Sequence, residues 1–298
     1  MDTGRGIAKP GKTEIISGED TVRRLFVREL INLVENDGRA RSSGFADEEA
    51  IHQLRVSTRR LRAKLKVVGL VLRRAPRQEF EARLGEVGAV LGELRNLGVL
   101  QRLYDSFFAG DTQLSPIQTR LDTDLEAAKR RVRRTLDSKQ YRQTIERLAG
   151  WAVAPPLRAR AQRDASVLFA PRLWTMTQSL FVQADEYGPQ PTLDGLHQIR
   201  KLAKNGRYNY EVASWYLGTP ASDVASSFEE VQRTLGDLHD LSVAVHYLEA
   251  GSSATGEMCG ALRVQMTPLL AKWRAPLQRA RHLSDALQRA QVSTASLT

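Results

Sequence analysis

Two segments of the chain begin with a histidine and continue with basic residues at helical spacing. We call these residues the cationic stripe, and its members are His52, Arg55, Arg59, Arg62 and Lys66 in the first segment and His197, Arg200, Lys204 and Arg207 in the second. Because each residue of an α-helix is rotated by about 100°, each set is expected on one helix face. The forked guanidinium group of arginine suits multi-point binding of phosphate. The stripe therefore predicts binding of a phosphate-bearing anion.

The composition of the first segment argues against an ordinary solvated helix face. No Asp or Glu occurs in residues 52–66, so Arg55 and Arg59 repel each other without local relief. Like charges four residues apart cost a helix ~0.2–0.5 kcal/mol per pair, whereas opposite charges gain as much. The opposite side of the same helix carries Leu54 and Leu61 and can pack in a core. A helix face that is basic despite this cost to helix stability favours an anion-binding role.

The chain contains an internal repeat. The segment His52–Arg62 recurs 145 residues later at His197–Arg207, and the segment Leu91–Leu97 recurs 144 residues later at Leu235–Leu241. Two matches in the same order at nearly one offset indicate two related halves. Arg95 lies within the second pair of segments.

Apolar residues recur at three- and four-residue intervals through most of the chain, which is typical of amphipathic helices. No alternating strand pattern of useful length and no Asn-Gly hairpin occurs in the sequence. We therefore predict an all-α fold in which each half is a four-helix bundle. The predicted divisions are a flexible arm at 1–16, a first half at 17–153, a second half at 154–290 and a flexible tail at 291–298.

The composition restricts the class of protein. The 298 residues include 44 Lys and Arg against 34 Asp and Glu, which gives a formal net charge of +10. Residues 1–150 carry 29 basic and 21 acidic residues, so most of the excess lies in the first half. The longest aliphatic run covers residues 67–72, far short of the roughly 20 residues of a membrane helix. With no secretory signal and one cysteine, the sequence predicts a cytoplasmic protein without membrane insertion.

Catalytic and metal-binding alternatives find little support in the sequence. Glu49 and Asp194 each precede a stripe histidine by three residues, which is the spacing used in di-iron helical bundles. Such a site needs about four carboxylates, and the neighbouring arginines would repel a metal ion. Phosphate-binding loops and nucleophile elbows are absent from the sequence. We expect no catalytic residue, no metal and no cofactor.

A second basic cluster covers residues 129–134 and admits two interpretations. Six consecutive residues encircle a helix, so part of the cluster is expected to face solvent. The rest of the cluster either faces solvent as well or forms an auxiliary anion-binding patch. The four tryptophans are scattered along the chain, which favours packing in the core over stacking of nucleic-acid bases.

Taken together, these motifs resemble the CHAD family, named for a conserved histidine α-helical domain. The resemblance covers roughly residues 17–290 and rests on the two stripe segments, the two Leu-Gly-x-Leu segments and the stretch Leu136–Arg142. It implies one compact unit of two pseudo-symmetric four-helix bundles with a basic central pore or groove. It also implies binding of inorganic polyphosphate by the cationic stripe, with Lys66 and Arg95 as extensions, and association with polyphosphate granules in bacteria.

The chain departs from the family pattern at several positions. Arg95 is followed by Asn-Leu-Gly-Val where the family usually has Asp-x-Asp-Val, Gly206 stands at the position of Leu61, and Glu211 stands at that of Lys66. We therefore expect the second stripe segment to contribute less than the first. A nucleic-acid-binding helical protein is the alternative, although no helix-turn-helix, zinc-finger or single-strand motif supports it. A scaffold for acidic partners is the third hypothesis.

Overall fold

The computed structural model describes residues 16–108, 115–188, 190–249 and 256–295, and the regular elements in these ranges are helical. The first half contains α1 (Gly18–Ser42), α2 (Glu48–Val67), α3 (Arg74–Phe108), α4 (Ser115–Asp137) and α5 (Lys139–Val153). The second half contains α6 (Ala165–Glu186), α7 (Leu193–Leu217), α8 (Thr219–Glu249), α9 (Gly256–Lys272) and α10 (Arg274–Ala295). The predicted all-α class is confirmed.

Polar side chains fix the starts of several helices. Each accepts a hydrogen bond from a backbone N–H of the first turn, as N-cap residues do. They are Ser17, Asp47, Ser138, Asp164 and Thr192, at the starts of α1, α2, α5, α6 and α7. Glu49 and Asp194 lie in the first turns of α2 and α7, where negative charge stabilises the helix dipole. A role at the helix start therefore accounts for both carboxylates that precede a stripe histidine.

Within the described ranges each half has one more helix than predicted, because its last long helix is broken. In the first half α4 ends at Asp137, and Ser138 caps a new helix by accepting a hydrogen bond from the backbone N–H of Tyr141. In the second half α9 ends at Lys272, and the single residue Trp273 separates it from α10. Pro276 has no N–H to donate to the carbonyl of Lys272, which favours the second break.

Two predicted boundaries differ from the structure. Ile16, predicted as part of the flexible arm, is buried, and its carbonyl accepts a hydrogen bond from the N–H of Ala165 at 2.8 Å. Helix α10 continues to Ala295, so the predicted tail begins too early. Residues 291–295 contain neither Gly nor Pro that would end the helix. The rest of both terminal segments lies outside the described ranges.

Neighbouring helices pack within each half. The halves join mainly through two pairs, α2 with α7 and α3 with α8, and α1 makes smaller contacts with α6 and α7. Both pairs join helices at equivalent positions of the repeat, since the stripe segments lie on α2 and α7 and the Leu-Gly-x-Leu segments on α3 and α8. The chain segments that precede α1 and α6 also exchange two backbone hydrogen bonds, from Gly18 to Arg163 and from Ala165 to Ile16. The two stripe segments therefore meet where the halves join.

The core lies on the side of each stripe helix opposite the cations. Leu54 and Leu61 of α2 and Ile199 of α7 are fully buried. This burial orients the stripes toward the junction of the halves. A Cβ on Gly206 of α7 would lie 2.8 Å from the ring of Phe228, so the glycine admits this ring rather than leaving a void.

Tryptophan side chains fill the core, as predicted. The ring of Trp151 lies 5.5 Å from that of Phe26 and 4.5 Å from that of Phe80, measured between centroids. Trp273, at the break between α9 and α10, is also buried. Burial of these rings favours a packing role over base stacking.

Candidate anion-binding site

A cavity of about 380 Å³ lies between α2, α3, α7 and α8, where the halves join. We call it the junction cavity. Seven arginines line it, namely Arg55, Arg59, Arg60 and Arg95 from the first half and Arg200, Arg207 and Arg233 from the second. Its other ionisable lining residues are His52, His239, Glu229, Asp237 and Asp240. Cations outnumber carboxylates, so the cavity is strongly basic.

The structure brings six of the ten predicted site residues into the lining of the junction cavity. They are His52, Arg55, Arg59, Arg95, Arg200 and Arg207. Arg62 lies outside this lining and passes over α3, since a Cβ on Gly85 would lie 3.3 Å from its Nη2. Lys66 is exposed at the end of α2. The outer turns of the first stripe segment therefore lie beyond the cavity.

His197 and Lys204 lie beside the junction cavity rather than in its lining. His197 lines a second cavity of about 290 Å³, and His239 borders both cavities. The rings of His197 and His239 are 4.8 Å apart between centroids. Lys204 lies one helical turn beyond Arg200, and its charge interacts with that of Arg200. Both residues thus extend the basic region around the cavity.

A stripe arginine crosses the glycine of each Leu-Gly-x-Leu segment. A Cβ on Gly92 would lie 3.3 Å from Nε of Arg55, and a Cβ on Gly236 would lie 3.8 Å from Nε of Arg200. Each guanidinium group therefore crosses the adjacent helix at its glycine. This shared geometry accounts for the joint recurrence of the stripe and the Leu-Gly-x-Leu segment in both halves.

The stripe residues of the two halves are held by different partners. Nε of Arg59 donates to the hydroxyl of Tyr208 at 2.9 Å, a neutral partner across the junction. Arg207 pairs with Glu211 at 2.8 Å and with Glu229 at 2.9 Å. An arginine already paired with two carboxylates offers less uncompensated charge to another anion. This difference is in the direction of the expectation that the second stripe segment contributes less to anion binding than the first.

Glu211 joins cations of both halves. Besides Arg207 it contacts Arg60 at 3.3 Å and Lys64 at 3.1 Å, and Lys64 forms another ion pair with buried Glu29 at 2.7 Å. Burial disfavours the charged carboxylate of Glu211, but the three cations outweigh burial and lower its pKa. These ion pairs link α1, α2 and α7 and hold Arg60 at the cavity wall.

Arg95 positions His52. Nε of Arg95 donates to Nδ1 of His52 at 3.1 Å, and Nη2 of Arg95 lies 3.4 Å from a carboxylate oxygen of Asp240. Since Nδ1 accepts, the proton of a neutral His52 is assigned to Nε2. Burial, followed by repulsion from Arg95, lowers the pKa of His52. His52 is therefore neutral at neutral pH and keeps an Nε2–H donor for a ligand.

Several buried guanidinium nitrogens near the junction have no hydrogen-bond partner among the described residues. They are Nε of Arg60, Nε of Arg62, Nη1 of Arg95 and Nε of Arg200. A buried donor without an acceptor costs about 1–3 kcal/mol, and more when it is charged. An anion in the junction cavity would supply acceptors to the arginines that line it.

Crowding of cations lowers the pKa values of the groups around the cavity. Burial, followed by repulsion from Arg59, lowers the pKa of Arg55 to about 10. Burial, followed by repulsion from Arg200, lowers the pKa of Lys204 to about 7 and that of His239 to about 4. A bound anion would offset the repulsion and raise these pKa values. Mutual repulsion of the cations therefore destabilises the free cavity, and a bound anion would relieve this repulsion.

The structure adds residues that the helical pattern does not select. Arg60 lies off the stripe face of α2, yet packing of the halves brings it to the cavity wall. Arg233 reaches the cavity only through the placement of α8. His239 and Asp240 could have been selected as candidates from the sequence, because both lie in the repeated segment Leu235–Leu241.

The second basic cluster, residues 129–134, is ion-paired or exposed in the structure. Lys129 pairs with Glu126, and Arg131 pairs with Glu93. The other arginines of the cluster are exposed. These contacts favour the solvated interpretation of the cluster.

The fold and the site together define an all-α protein with a cationic cavity at the junction of two repeated halves. Among the described residues, no group of three or more His, Cys, Asp and Glu could hold a metal ion. No helix in the described part of the chain has the length and apolarity needed to cross a membrane. A sequence model of the CHAD domain matches residues 26–249, and the chain therefore belongs to the CHAD domain family. A comparison with curated proteins finds no match.

Two solved structures resemble this fold. PptA from Streptomyces chartreusis matches with a TM-score of 0.64 and 18% identity, over 92% of this chain and 100% of that chain. The CHAD domain from the plant Ricinus communis matches with a TM-score of 0.63 and 20% identity, over 94% of this chain and 97% of that chain. The likeness at these identities concerns the fold, which is of the CHAD type.

Proposed function

We propose that the protein binds inorganic polyphosphate in the junction cavity, without catalysis. The observation that carries this proposal is the convergence of seven arginines, from helices of both halves, on the junction cavity, whose lining among the described residues holds three carboxylates. Membership of the CHAD domain family supports the choice of ligand, because that ligand is the one the family resemblance implies.

A flexible polyanion is the kind of ligand that this cavity suits. Polyphosphate presents repeated phosphate oxygens and no bases, so its receptor needs cations on rigid elements and little else. Helices α2, α3, α7 and α8 supply such elements, and their pairing across the junction supports an approximate two-fold arrangement of the halves. Binding driven by charge and counterion release is expected to weaken steeply with salt.

The proposed binding residues form an inner and an outer set within one unit spanning residues 17–290. The inner set comprises His52, Arg55, Arg59, Arg95, Arg200 and Arg207, which line the junction cavity. The outer set comprises Arg62, Lys66, His197 and Lys204, which extend the basic region along the chain of phosphates. In a bacterial cell, such binding would place the protein on polyphosphate granules.

Competition at fixed salt tests the identity of the ligand. Labelled long-chain polyphosphate bound to the full chain is challenged with unlabelled polyphosphate, DNA or RNA at equal phosphate concentration. We expect polyphosphate to displace the label far better than the nucleic acids, because no Phe, Tyr or Trp of the described ranges lines the junction cavity to stack bases. Equal displacement by DNA or RNA would contradict the proposal and favour the nucleic-acid-binding alternative.

A further inference from the structure

Helix α1 carries exposed apolar residues on the side that faces away from the core. We call Val27, Ile31 and Val34, which are 45–50% exposed, the apolar row. Their spacing of four and three residues places them on one helix face. The helix packs on α2 and α5 through its opposite side, where Val22 and Leu33 are fully buried. Single exposed apolar residues are ordinary, but a row of three on one helix face indicates an interaction surface.

Exposed charged residues continue the same side of α1 beyond the apolar row. In chain order they are Asp20, Arg24, Glu35 and Arg39. Each lies within about 80° of a member of the row around the helix axis. Their signs alternate, and they are separated by four, eleven and four residues. Read in the reverse direction, the helix therefore shows the opposite sign at each of these positions, at the same spacing.

These four charges differ from the charges on the other sides of α1 in having no ion-pair partner among the described residues. The charged residues of α1 that form ion pairs are Glu19, Arg23, Glu29, Asp37 and Arg41. Within the same ranges the side chains of Arg24, Glu35 and Arg39 form neither a hydrogen bond nor an ion pair. Asp20 accepts a hydrogen bond from the hydroxyl of Ser17 at 2.7 Å. A separation of four residues allows ion pairs along a helix, yet neither of the two possible pairs forms among these residues.

We propose that a second copy of the chain packs on this face of α1, with the two α1 helices antiparallel about a two-fold axis. Such an axis brings a surface against its own copy, so the surface must complement itself. Antiparallel pairing places Arg24 of each copy opposite Glu35 of the other, and it also places Asp20 opposite Arg39. One register satisfies both kinds of pair, because positions 20 and 39 are centred on the same point of the helix as positions 24 and 35. This self-complementary charge pattern is the reason for assigning the face to a second copy.

The apolar row lies near the centre of this register. There Val27 of one copy enters between Ile31 and Val34 of the other, as a knob enters a hole of a facing helix. Arg28 is a fifth exposed charge at this edge of α1, and the register gives it no opposite charge. The interface therefore combines apolar contacts at its centre with two ion pairs on each side of the axis.

The pairing is expected to be weak and reversible. One pair of helices, each about 37 Å long, is at the low end of specific interfaces. The net charge of +10 on each copy also opposes association. At about 0.15 M salt the Debye length is about 8 Å, so distant charges are screened more than ion pairs in contact. We therefore expect a dissociation constant of about 10–100 µM.

Sedimentation equilibrium of the full chain at pH 7 and about 0.15 M salt, without polyphosphate, tests the proposal. We expect a reversible monomer–dimer equilibrium for the unaltered chain. Val34→Lys removes an apolar contact from both copies and places a cation beside Arg24 of the other copy, so it should raise the dissociation constant by about tenfold or more. Val182→Lys is the matched control, because Val182 is 58% exposed on α6, and it should stay within about twofold of the unaltered chain.

Charge inversion tests the antiparallel register itself. Arg24→Glu alone or Glu35→Arg alone sets like charges against each other on both sides of the axis, so each should weaken self-association by about tenfold or more. An equimolar mixture of the two single variants brings opposite charges together again, and so does the double variant. Association should return in both, to within about threefold of the unaltered chain.

A chain that stays monomeric up to about 200 µM would overturn the proposal, as would a dimer that Val34→Lys leaves unchanged. Failure of both the mixture and the double variant to restore association would overturn the antiparallel register. The inference does not rest on the proposed function, and the experiments contain no polyphosphate. Loss of polyphosphate binding would therefore contradict the proposed function alone.

Discussion

At the scale of single residues, the environment of Arg55 shows why an anion would be stabilised in the junction cavity. It crosses α3 at Gly92, and burial together with repulsion from Arg59 and Arg200 lowers its pKa to about 10. The group is still charged at neutral pH, so the free protein keeps the repulsion. A phosphate that offsets this repulsion gains more from Arg55 than from a cation already surrounded by water.

Arg55→Gln should therefore weaken polyphosphate binding by about tenfold or more, since a hydrogen bond to a charged group contributes roughly 1.5–3 kcal/mol. Arg28→Gln is the matched control, because it makes the same change at an exposed position of α1 outside the proposed binding residues. We expect it to change affinity by less than about threefold. Fluorescence anisotropy at one salt concentration compares the two, and equal losses would show that the junction cavity is not the site.

Helical spacing identifies the stripe residues because their position on one face is a local property. Arg55 and Arg200 reach the cavity for this reason. Arg60 and Arg233 could not be selected from spacing, since tertiary packing of α2, α7 and α8 brings them to the wall. Arg62 shares the stripe face but lies outside the lining, since it crosses α3 at Gly85, about two turns from the point where Arg55 crosses at Gly92. Helical spacing therefore predicts which side chains share a helix face, and tertiary packing decides which of them reach the junction cavity.

At the scale of helices, small residues set how closely the elements of the site approach. Arg55 crosses α3 at Gly92, where a Cβ would lie 3.3 Å from its Nε, whereas a Cβ on Gly236 of α8 would make an ordinary contact with Arg200 at 3.8 Å. Gly206 lets the ring of Phe228 pack directly on α7. Close packing therefore requires glycine most clearly at position 206, where the helical pattern alone would accept any residue.

Gly206→Ala should destabilise the protein by roughly 1–3 kcal/mol, because the added methyl group meets the buried ring of Phe228 at 2.8 Å. Gly38→Ala is the control on α1, since nothing lies within 4 Å of its Cβ. That change should stabilise the protein by about 0.5–1 kcal/mol, as alanine favours the helix. Urea unfolding measures both, and a stabilising Gly206→Ala would contradict the close packing of α7 on α8.

Most helix boundaries follow from local signals, such as the N-cap residues and the prolines at positions 155 and 156, which follow the end of α5. The break before α10 is harder to predict from sequence. Pro276 lies close to that break, but Pro171 and Pro268 lie inside α6 and α9 without ending them. Neighbouring packing decides whether a proline ends a helix or is accommodated, and that packing is not a local property of the sequence.

At the scale of the whole molecule, positive charge is shared unequally between the halves. Residues 1–150 hold most of the excess, and the carboxylates in the lining of the junction cavity, Glu229, Asp237 and Asp240, all come from the second half. Both halves nevertheless supply arginines. The internal repeat predicts the all-α fold and a stripe in each half. It does not predict which helices meet, because that depends on buried contacts such as the Glu211 ion pairs.

The central claim is that both halves bind one polyphosphate chain together. Titration of the full chain with polyphosphates of increasing length, at fixed salt, tests it most directly when repeated with Arg55→Gln in the first half and Arg200→Gln in the second. We predict that affinity rises with ligand length until both halves are engaged and then levels off, and that each substitution weakens binding of long chains. Affinity independent of ligand length, or a loss confined to one of the two variants, would contradict the account.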